Sequence, residues 1–271
     1  ISLLSHSLLP TLALPWSNLT SITADSHGGI FAAGLLECIN LQSLIIRVQK
    51  DSRMSWETIP ESMPTIKLPK LTKLDFINLD TNYFTETQLM EKLDLPTLRS
   101  LSWVTSNEPS WPPLTTLWGM INRSGCSESL ESFTFGVVQG DELEAEFMRA
   151  LFPLMPNLVK LSFQRIDSVG KFVEYLPAAL QELNLEYWEL SEDHWPEDLE
   201  RMDALRVLDH LCAERRKFNV NLVFGDRYTT EQRVQERAEK CRALAMKGGF
   251  NLEIKNQHVD EHVSYIIPES E

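Results

Sequence analysis

Seven copies of one short pattern constrain this chain more than any other feature. Each copy sets an apolar residue, two variable positions, a second apolar residue, one variable position and a third apolar residue. The first four are Leu19-Thr-Ser-Ile22-Thr-Ala24, Leu41-Gln-Ser-Leu44-Ile-Ile46, Leu71-Thr-Lys-Leu74-Asp-Phe76 and Leu98-Arg-Ser-Leu101-Ser-Trp103. Leu130-Glu-Ser-Phe133-Thr-Phe135, Leu158-Val-Lys-Leu161-Ser-Phe163 and Leu180-Gln-Glu-Leu183-Asn-Leu185 complete the series. Successive copies begin 22 to 32 residues apart. A single hexamer of this kind carries almost no information, but seven at semi-regular spacing define a repeat. A unit this short cannot bury its apolar side alone, so each must stack on its neighbours.

The lead-ins repeat as well. Leu14-Pro15-Trp16-Ser17-Asn18 and Glu37-Cys38-Ile39-Asn40 precede the first two hexamers. Leu68-Pro69-Lys70, Leu95-Pro96-Thr97, Met155-Pro156-Asn157 and Leu176-Pro177-Ala178-Ala179 precede four others. Proline neither continues a helix nor donates to a ladder, so it marks a turn before each strand. Helical spacing predicts helices over Thr85–Leu93, Leu114–Ile121 and Asp141–Phe152, the last with Leu143, Phe147, Ala150 and Leu151 on one face. Longer helices are expected near Pro196–Lys217 and Thr229–Lys247. Each is followed by a short alternating run, Phe218–Phe224 and Phe250–Ile254, which reads as an atypical closing repeat. The period falls near the leucine-rich-repeat range of about 20–29 residues. The expected fold is an α/β leucine-rich-repeat solenoid, a horseshoe with parallel strands on the concave face and helices and loops on the convex face. Residues 1–15 read as an N-terminal remnant or cap, 16–256 as the repeat domain with its closing repeats, and 257–271 as a polar tail. Because the chain opens on Ile1, it is expected to be a piece of something longer.

Strand side chains alternate, so the residues flanking each middle apolar position should point outward onto the concave wall. These are Ser21 and Thr23, Ser43 and Ile45, Lys73 and Asp75, Ser100 and Ser102, Ser132 and Thr134, Lys160 and Ser162, and Glu182 and Asn184. One position further along stand Arg47, Ile77, Val104, Gly136, Gln164 and Glu186. From Ser43 onward, leaving out Val104 and Gly136, they form the candidate partner-binding surface. Trp111, in the loop Ser106–Leu114, and Trp188 join it as aromatic anchors. Trp103 falls on an inward position and belongs to the core. The acidic run Glu186–Asp203, interleaved with Tyr187, Trp188 and Trp195, reads either as a solvated loop and helix start or as a docking edge for a basic partner.

Composition narrows the function. Lys and Arg total 25 against 39 Asp and Glu, a net charge of -14. That argues against nucleic acid, whose phosphates require a basic face, and against an anionic membrane surface. No apolar stretch approaches the roughly 18 residues of a membrane span, and Ile1–Pro15 lacks the basic start of a signal peptide. Cys38, Cys126, Cys212 and Cys241 share no metal-type spacing and read as reduced, buried thiols suited to the cytoplasm or nucleus. The sequons at Asn18 and Asn122 are short enough to arise by chance. His258-Val-Asp-Glu261-His262 matches a zinc-peptidase string, but only nine residues follow it, so it reads as solvated tail. His27-Gly28-Gly29 reads as a turn. No nucleophile elbow or phosphate-cradling glycine motif occurs. No catalytic residue, metal or cofactor is expected, and the protein is expected to be a monomer.

The lead-ins Leu-Pro-x-Leu and Cys38-Ile-Asn-Leu41, the end of Leu98-Arg-Ser-Leu-Ser-Trp103, the run Ile121–Ser132 and the closing Asn219-Val-Asn-Leu222 carry a resemblance. Over about residues 14–255 the chain resembles the C-terminal leucine-rich region of F-box proteins from mushroom-forming fungi. The resemblance implies a receptor that presents protein substrates, held on the concave face, to a Skp/cullin-type ubiquitin ligase. Ile1–Pro15 is too short to be the three-helix F-box, so a Skp/cullin adaptor is expected only where an F-box lies upstream. A leucine-rich scaffold or enzyme regulator without a ligase link shares the same surface. A hydrolase-type enzyme is the least expected reading.

Overall fold

The computed structural model describes residues 2–3, 15–24, 29–48, 59–78, 84–105, 112–138, 142–166, 175–188, 208–211, 213, 219–225, 231–248 and 251–256. The chain divides into two compact units, Ile1–Thr134 with Leu154–Asn157, and Phe135–Pro153 with Leu158–Glu271.

The first unit runs β1 (Ser2–Leu3), β2 (Ser21–Ala24), α1 (Gly29–Leu35), β3 (Ser43–Val48), β4 (Ile66–Lys67), β5 (Lys73–Asn78), α2 (Phe84–Lys92), β6 (Leu93–Asp94), β7 (Ser100–Thr105) and α3 (Pro112–Ser124). The strand β8 (Ser132–Val138) begins here and ends in the second unit. β1, β2, β3, β5 and β7 pair in chain order, every pair parallel. β4 and β6 form a separate two-stranded parallel ribbon. The second unit contains α4 (Glu142–Leu151), β9 (Lys160–Ile166), β10 (Glu182–Trp188), β11 (Asn219–Gly225), α5 (Glu231–Gly248) and β12 (Asn251–Asn256). β9 to β12 again pair in chain order and in parallel. Both units are thus built from repeated strand-and-helix coils, a solenoid-like α/β arrangement.

The hexamer explains why. Its first leucine stands just before the strand and is buried in every copy, from Leu19 to Leu180. The strand starts at the third position, so the fourth and sixth share one face. Register sets these residues side by side. Ile22, Leu44, Leu74 and Leu101 form one row of the first unit, and Ala24, Ile46, Phe76 and Trp103 the next. The second unit repeats this with Leu161, Leu183, Val220 and Leu252, then Phe163, Leu185, Leu222 and Ile254. All sixteen are buried. The closing runs break the hexamer yet keep both inward rows, which is what their alternation requires.

A second ladder runs through the lead-ins. The carbonyl just before a strand accepts two N–H groups from the next coil. Thr20 accepts from Gln42 and Ser43, Gln42 from Thr72 and Lys73, Thr72 from Arg99 and Ser100, and Arg99 from Glu131 and Ser132. Side chains at the position before the first leucine reinforce it. Asn40 Nδ2 donates to Ser17 O at 2.8 Å, Thr97 Oγ1 to Pro69 O at 2.9 Å, Ser129 Oγ to Leu98 O at 2.7 Å and Asn157 Nδ2 to Glu128 O at 2.8 Å. Each ties one coil to the one before and satisfies turn carbonyls that strand pairing leaves over.

The helices differ in detail from the pattern-based expectation. α2 ends at Lys92, and Leu93 opens β6 instead of closing the helix. α3 extends beyond Leu114–Ile121 at both ends, opening on Pro112, where a missing N–H costs nothing. Its end is capped by Gly125 at φ 62°, whose N–H donates to Asn122 O at 3.2 Å. From the last turn of α3, Arg123 donates to Met90 O and Leu93 O, so one coil caps the helix of the coil before. In α4, Ala150 is exposed, contrary to expectation; Met148 and Leu151 are buried, so the buried face includes position 148 and leaves 150 out. α5 matches Thr229–Lys247 closely and packs on β12. Of Pro196–Lys217 only residues 208–211 and 213 are described, and they are helical.

α1 was not anticipated. Its sequence, GIFAAGL, has two glycines and no polar residue, so neither propensity nor amphipathic period marks it. Gly34 is needed there, because a Cβ at this position would lie 2.7–2.8 Å from carbons of the Trp16 indole. Gly34→Ala should gain up to about 1 kcal/mol in helix propensity. Overpacking against the ring costs about 1–3 kcal/mol, so net destabilisation is expected in urea unfolding. A more stable variant would show that the indole yields freely.

Candidate outward strand face

The faces of the strands opposite the buried rows gather most of the candidate residues. In the first unit, register sets Ser21, Ser43, Lys73 and Ser100 in one row. Thr23, Ile45, Asp75 and Ser102 form the next, and Arg47, Ile77 and Val104 a third. Most are half-buried; Ser21, Arg47 and Lys73 are exposed. Lys73 Nζ lies 2.9 Å from Asp75 Oδ2, two residues along the same strand. Neighbouring outward positions on one strand lie close enough for that pair, which leaves Arg47 as the formal charge this strip adds. On β8, Ser132 and Thr134 are half-buried.

The second unit carries a different chemistry. One outward row runs Lys160, Glu182, Asn219 and Asn251, and the next Ser162, Asn184, Asn221 and Glu253. Lys160 Nζ meets Glu182 Oε1 at 2.6 Å. Asn184 is a hub: its Nδ2 donates to Ser162 Oγ at 2.9 Å and to Glu182 Oε1 at 3.1 Å, and its Oδ1 accepts from Asn221 Nδ2 at 2.5 Å. Asn251 Nδ2 donates to Asn219 Oδ1 at 3.1 Å. Burial works to raise the Glu182 carboxyl, but hydrogen bonds from Lys160 and Asn184, with the Lys160 charge, outweigh it and hold the carboxyl below its usual range.

Two expectations need correction here. Ser162 does not stand free on the wall; it is buried, with its hydroxyl taken by Asn184. Gln164 does not line up simply with Glu186. The register shifts between the pairs Leu185–Phe163 and Tyr187–Ile166, so Gln164 and Arg165 together oppose Glu186 in a β-bulge. Glu186 itself is half-buried on β10. Trp188 is the last residue of β10. Trp111, Trp195, the acidic run beyond Trp188, His27, Gly28, Cys212 and the string from His258 to His262 lie outside the described residues. Sequence reasoning missed Asn219, Asn221, Asn251 and Glu253 as members of this face, although their alternation with buried Val220, Leu222, Leu252 and Ile254 was visible. Trp118, 44% exposed on α3, was also missed.

The described thiols are Cys38, Cys126 and Cys241, all buried and none in a disulfide. Burial, helped by the charge of Glu37, pushes Cys38 up to about 11. Burial also lifts Cys126 to about 11, with Asp94 adding to it and a backbone hydrogen bond opposing it. Both stay protonated at neutral pH and are poor nucleophiles. Ser124, of the second sequon, is buried and its Oγ accepts the Leu95 N–H at 3.0 Å. Among the described residues, no group of three His, Cys, Asp or Glu side chains is placed to hold a metal, and no helix is long and apolar enough to cross a membrane. No family model, curated protein or solved structure matches the chain.

Proposed function

We propose that the chain is a protein-recognition module of the leucine-rich-repeat type, non-catalytic, holding a protein substrate on the outward face of its strands. What supports the reading is the continuity of the outward rows, in which each coil contributes side chains at matched register positions. Such a face presents hydroxyl, amide, aliphatic and charged groups in mixture, as protein interfaces do. The horseshoe belongs to the same reading, since strands about 4.8 Å apart and helices roughly 10 Å apart curve the stack toward its strands. Three buried thiols outside any disulfide and a charge of -14 suit a partner met in the cytoplasm or nucleus, and suit neither nucleic acid nor an anionic membrane. The resemblance to fungal F-box proteins makes the partner a ubiquitin-ligase substrate, and an F-box ahead of the repeats would supply the Skp/cullin contact.

Affinity capture from native extract tests this. The Lys73→Glu, Lys160→Glu double variant should lose at least tenfold of the partners that the wild type retains, while its circular dichroism is unchanged. Ser100→Arg, which sets a long cation beside Lys73 in the same row, should lose the same partners. Captured proteins indifferent to both variants would remove the outward face from the binding site. Partners that accumulate as ubiquitin conjugates when a ligase acts favour the substrate-receptor reading over a scaffold.

A further inference from the structure

We propose that the asparagines on the outward side of β11 and β12 read the main chain of an extended peptide segment in the partner. The inference rests on the outward strand face being a binding surface, and it names what the second unit's share of that face takes. Asn219 and Asn221 stand two residues apart on β11, and Asn251 on β12 is the register partner of Asn219. Asn221 Nδ2 donates to Asn184 Oδ1, and Asn251 Nδ2 donates to Asn219 Oδ1. All three amides therefore carry nitrogen on the side of the preceding coil and oxygen on the other. An asparagine amide is planar, with two N–H donors and an oxygen with two lone pairs. Side chains of strands stand roughly perpendicular to the sheet. With one tip turned along the row to the neighbouring coil, one N–H and one lone pair of each amide point off the sheet, side by side. Asn219 and Asn251 are exposed and Asn221 is half-buried, so those groups meet whatever lies on the face.

That arrangement selects a ligand. Each amide is neutral and offers one donor next to one acceptor. A phosphate or carboxylate answers only the donor, and an ammonium only the acceptor. A residue in an extended chain turns its own N–H and C=O to the same side, and answers both. The edge of adenine does so too, but a net charge of -14 opposes the phosphates of a nucleic acid. Main-chain recognition of this kind gives affinity that tolerates many side chains. Asn184 plays a different part. Both of its N–H groups are taken, by Ser162 Oγ and Glu182 Oε1, and its oxygen holds Asn221 in place. Asn251 holds Asn219 in the same way. The amides are thus fixed in orientation before a partner arrives, and little freedom is lost when it does.

A phage-displayed library of random linear peptides, selected on the full chain, supplies the probe once its strongest binder is synthesised. Methylating the backbone nitrogens of that peptide one at a time should weaken binding about tenfold at one or more residues. Alanine in place of the side chains at those same residues should cost less than about threefold. Asn219→Asp keeps the oxygen that accepts from Asn251 and removes both N–H groups, and Asn219→Leu removes the amide without adding charge. Each should weaken the peptide about tenfold or more, with circular dichroism unchanged. Lys73→Glu, on the strands of the first unit, should leave its affinity within about threefold, because an exposed charge acts weakly at a distance. A library that yields no binder overturns the proposal. So does a peptide that tolerates methylation throughout, ignores both Asn219 variants, or responds to Lys73→Glu instead. The partners captured above still decide, through Lys73 and Lys160, whether the outward face binds at all, so the two readings fail separately.

Discussion

Replacing Phe76 by alanine should lower stability by about 3–5 kcal/mol, the cost of emptying a large buried aromatic site. Phe76 is 2% exposed and sits between Ile46 and Trp103 in the second inward row. Its ring centroid lies 6.0 Å from that of Trp103 with the planes tilted by 34°, within the range where aromatic pairs attract. The coil cannot collapse into the space, because strand spacing is fixed by hydrogen bonds on both sides. Ser102→Ala, on the adjacent strand one residue before Trp103 and on the opposite face, should change stability by no more than about 0.5 kcal/mol. Urea unfolding followed by tryptophan fluorescence measures both. Equal costs would mean that the two faces do not differ as inside and outside.

That contrast was legible in the sequence, because a period of two written seven times fixes which residues face in. Lys73, Asp75, Ser100 and Ser102 were placed on the outward face from their hexamer positions alone, and Trp103 on the inward one. What escaped was structure without a period. The helix Gly29–Leu35 has no polar face to reveal it, and its packing depends on Trp16 lying over Gly34, a contact between residues far apart in the chain. The bulge at Gln164 and Arg165 leaves no mark, since one extra residue in a strand only looks like a longer strand. The lead-in ladder was half visible. Prolines marked the turns, but Asn40, Thr97, Ser129 and Asn157, each just before a first leucine, gain meaning only once the neighbouring carbonyls are in place. Ser162 was misread for the same reason: alternation gives the face a residue lies on, and not the neighbour that covers it.

The hub at Asn184 gives the second large effect, and its pH dependence separates its parts. Asn184→Leu removes three side-chain hydrogen bonds on a half-buried face, and should cost about 1–3 kcal/mol near neutral pH. The bond to Glu182 is the charged one. Because the folded Glu182 carboxyl is held below its ordinary value of 4.5, the carboxylate contributes stability that is fully present above that value. The contribution fades as pH falls through the lower, folded value. In Asn184→Leu the carboxylate has lost one of its donors, so its titration moves back toward the ordinary range and less of this stability exists to be lost. The gap between wild type and variant should therefore be widest above pH 5 and narrow toward pH 3. What remains at low pH belongs to the neutral bonds with Ser162 and Asn221. Unfolding curves at several pH values measure the gap directly. A gap that stays constant across this range would place the whole cost in the neutral bonds and remove Asn184 from the network that holds Glu182 ionised.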